Sequence, residues 1–146
     1  MGLLIKLGLF WLAFLGSVYA HELGHFGKPR IVKWFPVPVG QSRDALFRYG
    51  GLVVNAGLAF GILLLNSDNL FLNLFGLANF AHFVLYCFWG SFNFEVDWPR
   101  RLWKFVTFDD IPNKLWWVFV PIGLLSLWLG GSFYWNIAIT FFGGAL

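Results

Sequence analysis

The chain has 146 residues, 59% of them hydrophobic and 22% aromatic, with only 12% charged and a formal net charge of +3. A soluble domain carries about 25% charged residues. This composition therefore excludes a water-soluble fold and turns the apolar surface towards lipid or other membrane proteins. The length suits one domain, 1–146; Cys87 is the single cysteine, which excludes an intrachain disulfide, and nucleic acid is not an expected partner.

A bilayer core is about 30 Å thick and needs about 20 apolar residues as helix, because backbone polar groups find no water there. Residues 1–20 contain only Lys6 as a charge and form the first expected span. A cleaved signal peptide is the rival reading of this segment, since Val18-Tyr19-Ala20 ends in small residues at suitable positions. Cleavage would send the most basic loop outside, against the charge rule, so the uncleaved span is preferred. The next segment, 28–39, alternates apolar residues with Lys33, Pro36 and Pro38, and reads as extended chain at the membrane surface. Uncharged stretches at 49–67 and 69–94 supply two more spans, with Asn66, Asn69 and Asn73 capping or hydrogen-bonding at their connection. The stretch 115–146 is too long for one ordinary span. Pro121 and Gly130-Gly131 allow a hairpin of two short helices; one long, kinked and tilted helix is the alternative. The expected fold is an all-α polytopic membrane protein of four to five transmembrane helices with a short surface extended segment.

Basic residues gather in two loops. Lys28, Arg30, Lys33, Arg43 and Arg48 precede the second span, and Arg100, Arg101, Lys104 and Lys114 follow the third; the connection at Asp68 has none. The positive-inside rule then makes loops 26–48 and 95–114 cytoplasmic and leaves the amino terminus outside. Trp116-Trp117 beside Lys114 reads as an interfacial anchor.

At the cytoplasmic end of the first span stands His21-Glu22-Leu23-Gly24-His25. Residues four apart share a helix face, so both imidazoles can reach one metal ion with Glu22 beside it. Neutral imidazole is a good zinc ligand, and a carboxylate next to zinc-bound water can take its proton. Gly24 lets another helix or a substrate strand come close. The plain alternative is that these polar tips sit at the lipid headgroups, where they are tolerated.

With this motif at the end of a first span and a basic loop after it, the sequence resembles the site-2 proteases, the intramembrane zinc metalloproteases. The resemblance runs mainly over residues 1–66. Gly50-Gly51-Leu52-Val53-Val54-Asn55 is similar to the Gly-Pro-x-x-Asn motif that opens a later span in that family. The extended segment 28–39 corresponds to a membrane-associated β-hairpin of bacterial members. The resemblance implies zinc held by His21, His25 and a third ligand, with Glu22 as catalytic base and Asn55 holding substrate. The family's third ligand is an aspartate. Here Asn93-Phe94-Glu95-Val96-Asp97-Trp98-Pro99 offers Asp97 at shorter spacing, without the intervening proline and with Trp98 in place of a glycine. Asp97 leads for the third ligand; Glu95 and His82 stand behind it.

The expected activity is hydrolysis of peptide bonds in membrane-embedded protein substrates. The alternative is a small non-catalytic subunit of a larger membrane complex, packed against partner subunits or pigment, with a histidine ligating haem or chlorophyll. A metal-dependent membrane enzyme that is not a protease is a third reading. Convergence of His21, His25 and Asp97 on one point separates the enzymes from the subunit.

Overall fold

The computed structural model describes residues 2–24, 30–33, 39–41, 49–90 and 116–143. Its helices are α1 (Leu3–Gly24), α2 (Gly50–Leu65), α3 (Leu70–Leu85) and α4 (Trp116–Phe142), and a π-helical turn at Tyr86–Gly90 continues α3. Between α1 and α2, strands β1 (Arg30–Lys33) and β2 (Val39–Gln41) pair antiparallel. Arg30 lies opposite Gln41 and Lys33 opposite Val39, with the register slipping at Val32. β1 falls within the segment expected to be extended.

Among the described residues, three helical stretches, Leu3–Gly24, Leu70–Phe88 and Trp117–Phe142, are long and apolar enough to cross a bilayer. At 1.5 Å per residue, the 16 residues of α2 reach only about 24 Å. The outward surface is that of a chain immersed in lipid. Leu4, Leu64 and Trp128 are each more than three-quarters exposed, an arrangement water would not tolerate over so many positions.

Each peripheral helix buries a single stripe. On α1 it is Lys6, Ala13, Ser17, His21 and Gly24. On α2 it is Gly51, Leu52, Asn55, Ala59 and Ile62. On α4 it is Gly123, Ser126, Gly130, Tyr134 and Phe141. Steps of three, four and seven keep these residues on one helical face. α3 is the central helix: it packs against α1, α2 and α4, while α4 meets the other two only slightly. Half of its apolar window is buried, against 17% for α1.

The α2–α3 connection is made by asparagines, as expected. Asn66 ends α2 in the left-handed region at φ 44°, its N–H reaching the Ile62 and Leu63 carbonyls, a conformation asparagine tolerates better than most residues. The Asn69 side chain accepts from Leu72 N–H at the start of α3, and Asn73 Nδ2 donates to the Ser67 carbonyl.

The chain from Trp116 to Phe142 is one helix, which settles the two readings of 115–146 against the hairpin. Pro121 lies in its second turn, where it removes the N–H that would bond the Trp117 carbonyl without ending the helix. Gly130 is a contact point rather than a break: a Cβ there would come within 3.0 Å of Phe80 on α3.

Candidate functional site

The inward stripe of α1 carries polar groups at its carboxyl-terminal end. Ser17 and His21, one turn apart, are 0% and 1% exposed. The His21 ring is therefore enclosed by the protein. Its neighbour Glu22 is half-buried on the edge of the stripe, and Leu23 points outwards.

Two glycine contacts bring α1 and α2 together here. A Cβ on Gly24 would lie 2.6 Å from the Gly50 carbonyl oxygen, and one on Gly51 would lie 2.6–2.7 Å from His21 Nε2, Cδ2 and Cε1. Near-equal distances to those three atoms put Gly51 over the face of the imidazole, away from the ring plane in which the Nε2 lone pair lies. The close approach that Gly24 permits is therefore used by α2.

Asn55 projects from the buried stripe of α2 into the same space and is 0% exposed. Its Oδ1 is 2.9 Å from His21 Nδ1, so the imidazole N–H donates to it. Asn55 Nδ2 donates to Asn79 Oδ1 at 3.1 Å and approaches the Ser17 carbonyl at 3.4 Å. Asn79, on α3, donates in turn to the Phe75 carbonyl of its own helix at 2.8 Å. His82 Nδ1 lies 3.3 Å from both Asn55 Nδ2 and Ser17 Oγ, while Ser17 Oγ also donates back to the Phe14 carbonyl at 2.8 Å. Every bond described for Asn55 is to the protein itself.

Aromatic rings close the cluster. His21 and His82 stack with centroids 4.9 Å apart and planes 22° from parallel. The Tyr86 ring lies 4.6 Å from His21 and 5.1 Å from His82. Tyr86 opens the π-helical turn, a local rewinding that recurs at functional sites because it re-aims one side chain.

The hydrogen bond to Asn55 decides what His21 can do. With the proton on Nδ1, the lone pair is on Nε2. A metal-binding imidazole has this form: one nitrogen anchored to an oxygen acceptor, the other presented to the ion. His21 thus fits a zinc ligand by donor chemistry. Among the described residues no three His, Cys, Asp or Glu side chains gather to hold an ion; His25, Asp97 and Glu95 lie outside the described residues. His82 holds its Nδ1 among protein partners and its ring against His21.

Sequence reasoning missed Ser17, Asn79 and Tyr86. Two of them carried a signal: Ser17 stands one turn before His21, and Asn79 three residues before His82, on shared faces of apolar helices. Tyr86 carried none, because a π-helical turn has no sequence period of its own.

No family model, curated protein or solved structure matches the chain.

Proposed function

We propose that the protein is an intramembrane zinc metalloprotease-like enzyme that hydrolyses peptide bonds of membrane-embedded substrates near the cytoplasmic face. The observation that carries this reading is the buried His21, its Nδ1–H given to Asn55 at 2.9 Å and its ring backed by Gly51. Burying an imidazole and specifying its proton is costly in an apolar bundle and is expected where the other nitrogen has work to do.

His21, His25 and Asp97 would hold the zinc ion, leaving a fourth position for water. The stacking of His82 on His21 tells against His82 as third ligand, because stacked rings keep their lone pairs in near-parallel planes instead of converging. When bound, the ion would polarise the scissile carbonyl and acidify the attacking water. Glu22, half-buried next to His21, would take the proton of that water and return it to the departing amine nitrogen. Asn55 would act first on His21 and only through it on the substrate segment. The same reading has α2 as a fourth, short span, the amino terminus outside and loops 26–48 and 95–114 cytoplasmic.

A second reading draws on α4, whose Trp128 and Trp135 are 78% and 66% exposed. In a non-catalytic subunit these would face partner helices or pigment. Metal analysis separates the two. Purified wild-type protein should hold one zinc ion per chain, and His21→Ala or His25→Ala should hold none. Glu22→Gln should keep the zinc and lose cleavage of a transmembrane peptide in proteoliposomes. Equal zinc in wild type and in the His21→Ala/His25→Ala double variant would overturn the metalloprotease reading.

A further inference from the structure

We infer that Asn79, on the central helix and one amide removed from His21, is a positioning residue that fixes which His21 nitrogen carries the proton. The inference rests on the metal-site reading above. Its argument is one of hydrogen-bond polarity passed from helix to helix.

The polarity is set at a group with no choice. The Phe75 carbonyl can only accept, so the Asn79 atom 2.8 Å from it is the amide nitrogen. Asn79 Oδ1 is thereby turned to Asn55 and can only accept from it, which makes the Asn55 atom at 3.1 Å the nitrogen. The Ser17 carbonyl, again an obligate acceptor, backs the same orientation from 3.4 Å. Asn55 Oδ1 is then left facing His21 Nδ1 at 2.9 Å, and an amide oxygen there requires an N–H. His82 adds no constraint, since its Nδ1 either accepts from Asn55 Nδ2 or donates to Ser17 Oγ, each at 3.3 Å.

The order Phe75, Asn79, Asn55, His21 crosses from α3 through α2 to α1. A free imidazole exchanges between its two neutral tautomers; this one is set only once the three helices are packed. Asn79 and Asn55 are both 0% exposed, so no water competes for the bonds. The Phe75 carbonyl allows the Asn79 amide one orientation, and that orientation is handed on through Asn55. The polarity matters only to a residue whose two nitrogens must do different things.

The test reads the tautomer directly, by nitrogen-15 NMR of histidine-labelled, metal-free protein in nanodiscs at a pH where the rings are neutral. His21 is assigned by the signals lost in His21→Gln. Wild type should have the His21 proton on Nδ1. Asn79→Leu should give a mixture of tautomers and weaken zinc binding about tenfold, the low end for partners of a metal-bound histidine. Asn79→Asp should restore both, because a carboxylic acid donates to Phe75 and accepts from Asn55 with the same polarity. A His21 proton on Nε2 in the wild type overturns the inference and needs no variant to fold. So does an unmixed Nδ1–H tautomer in Asn79→Leu. If wild type binds no zinc while the tautomers behave as stated, the metal reading fails and the role of Asn79 stands.

Discussion

Gly51 has its Cα against the face of His21, and the added methyl of Gly51→Ala would fall 2.6 Å from Nε2. The ring or the helix must move. Such overpacking costs about 1–3 kcal/mol, and it should appear as a lower unfolding midpoint together with weaker zinc binding, at unchanged helical circular dichroism. Stability and zinc affinity both equal to wild type would mean that the ring is not held by this contact. At this scale the sequence was informative about which residues matter and silent about what they touch. Asn55 was legible through its place after Gly50-Gly51, yet its bond to His21 depends on how two helices cross, which no local pattern encodes. Asn79 was harder still: its spacing from His82 marks a shared face, but nothing local says that the face meets Asn55.

Among the elements, α4 was the least legible. Pro121 and Gly130-Gly131 are ordinary breakers, but the helix runs on through the first and Gly130 is spent on closeness to Phe80. The 27 residues of α4 extend about 40 Å, longer than a bilayer core, a mismatch met by tilting or by running into the headgroup layer. Its hold on the bundle is partly polar. The buried Tyr134 hydroxyl donates to the Ala59 carbonyl on α2, and its ring stacks on Phe80 at 4.7 Å. Tyr134→Phe keeps the ring and loses the donor, so it should destabilise by about 0.6 kcal/mol and at most about 1.7, the range for such bonds inside membranes. Unfolding in mixed micelles would measure this; a larger loss would mean that the hydroxyl carries more than one bond.

For the whole molecule, helicity and membrane character were readable at once, because composition and uncharged stretches express them without any tertiary information. The centrality of α3 was not, since its sequence is about as apolar as that of its neighbours. Topology is the testable consequence of the charge distribution. Cysteines placed at positions 43 and 101 should react with an impermeant thiol reagent from one side, and at position 68 from the other. Cys87 is fully buried and should give little background. Labelling of 43 and 101 from opposite sides would overturn the arrangement.

The buried stripe of α1 changes character along its length. From His21 to Ser17 it is polar; beyond Ser17 the next buried group is Ala13, enclosed with Leu74, Ala78 and Phe141. Between Ser17 and Lys6 lie about 16 Å of helix whose buried face offers nothing for a proton to hop to. Along α1 the hydrogen-bonded cluster therefore ends at Ser17. A catalytic pocket sunk into a bilayer would risk becoming an electrical leak; if the buried cluster serves as that pocket, as proposed, this dry stretch of α1 would insulate it.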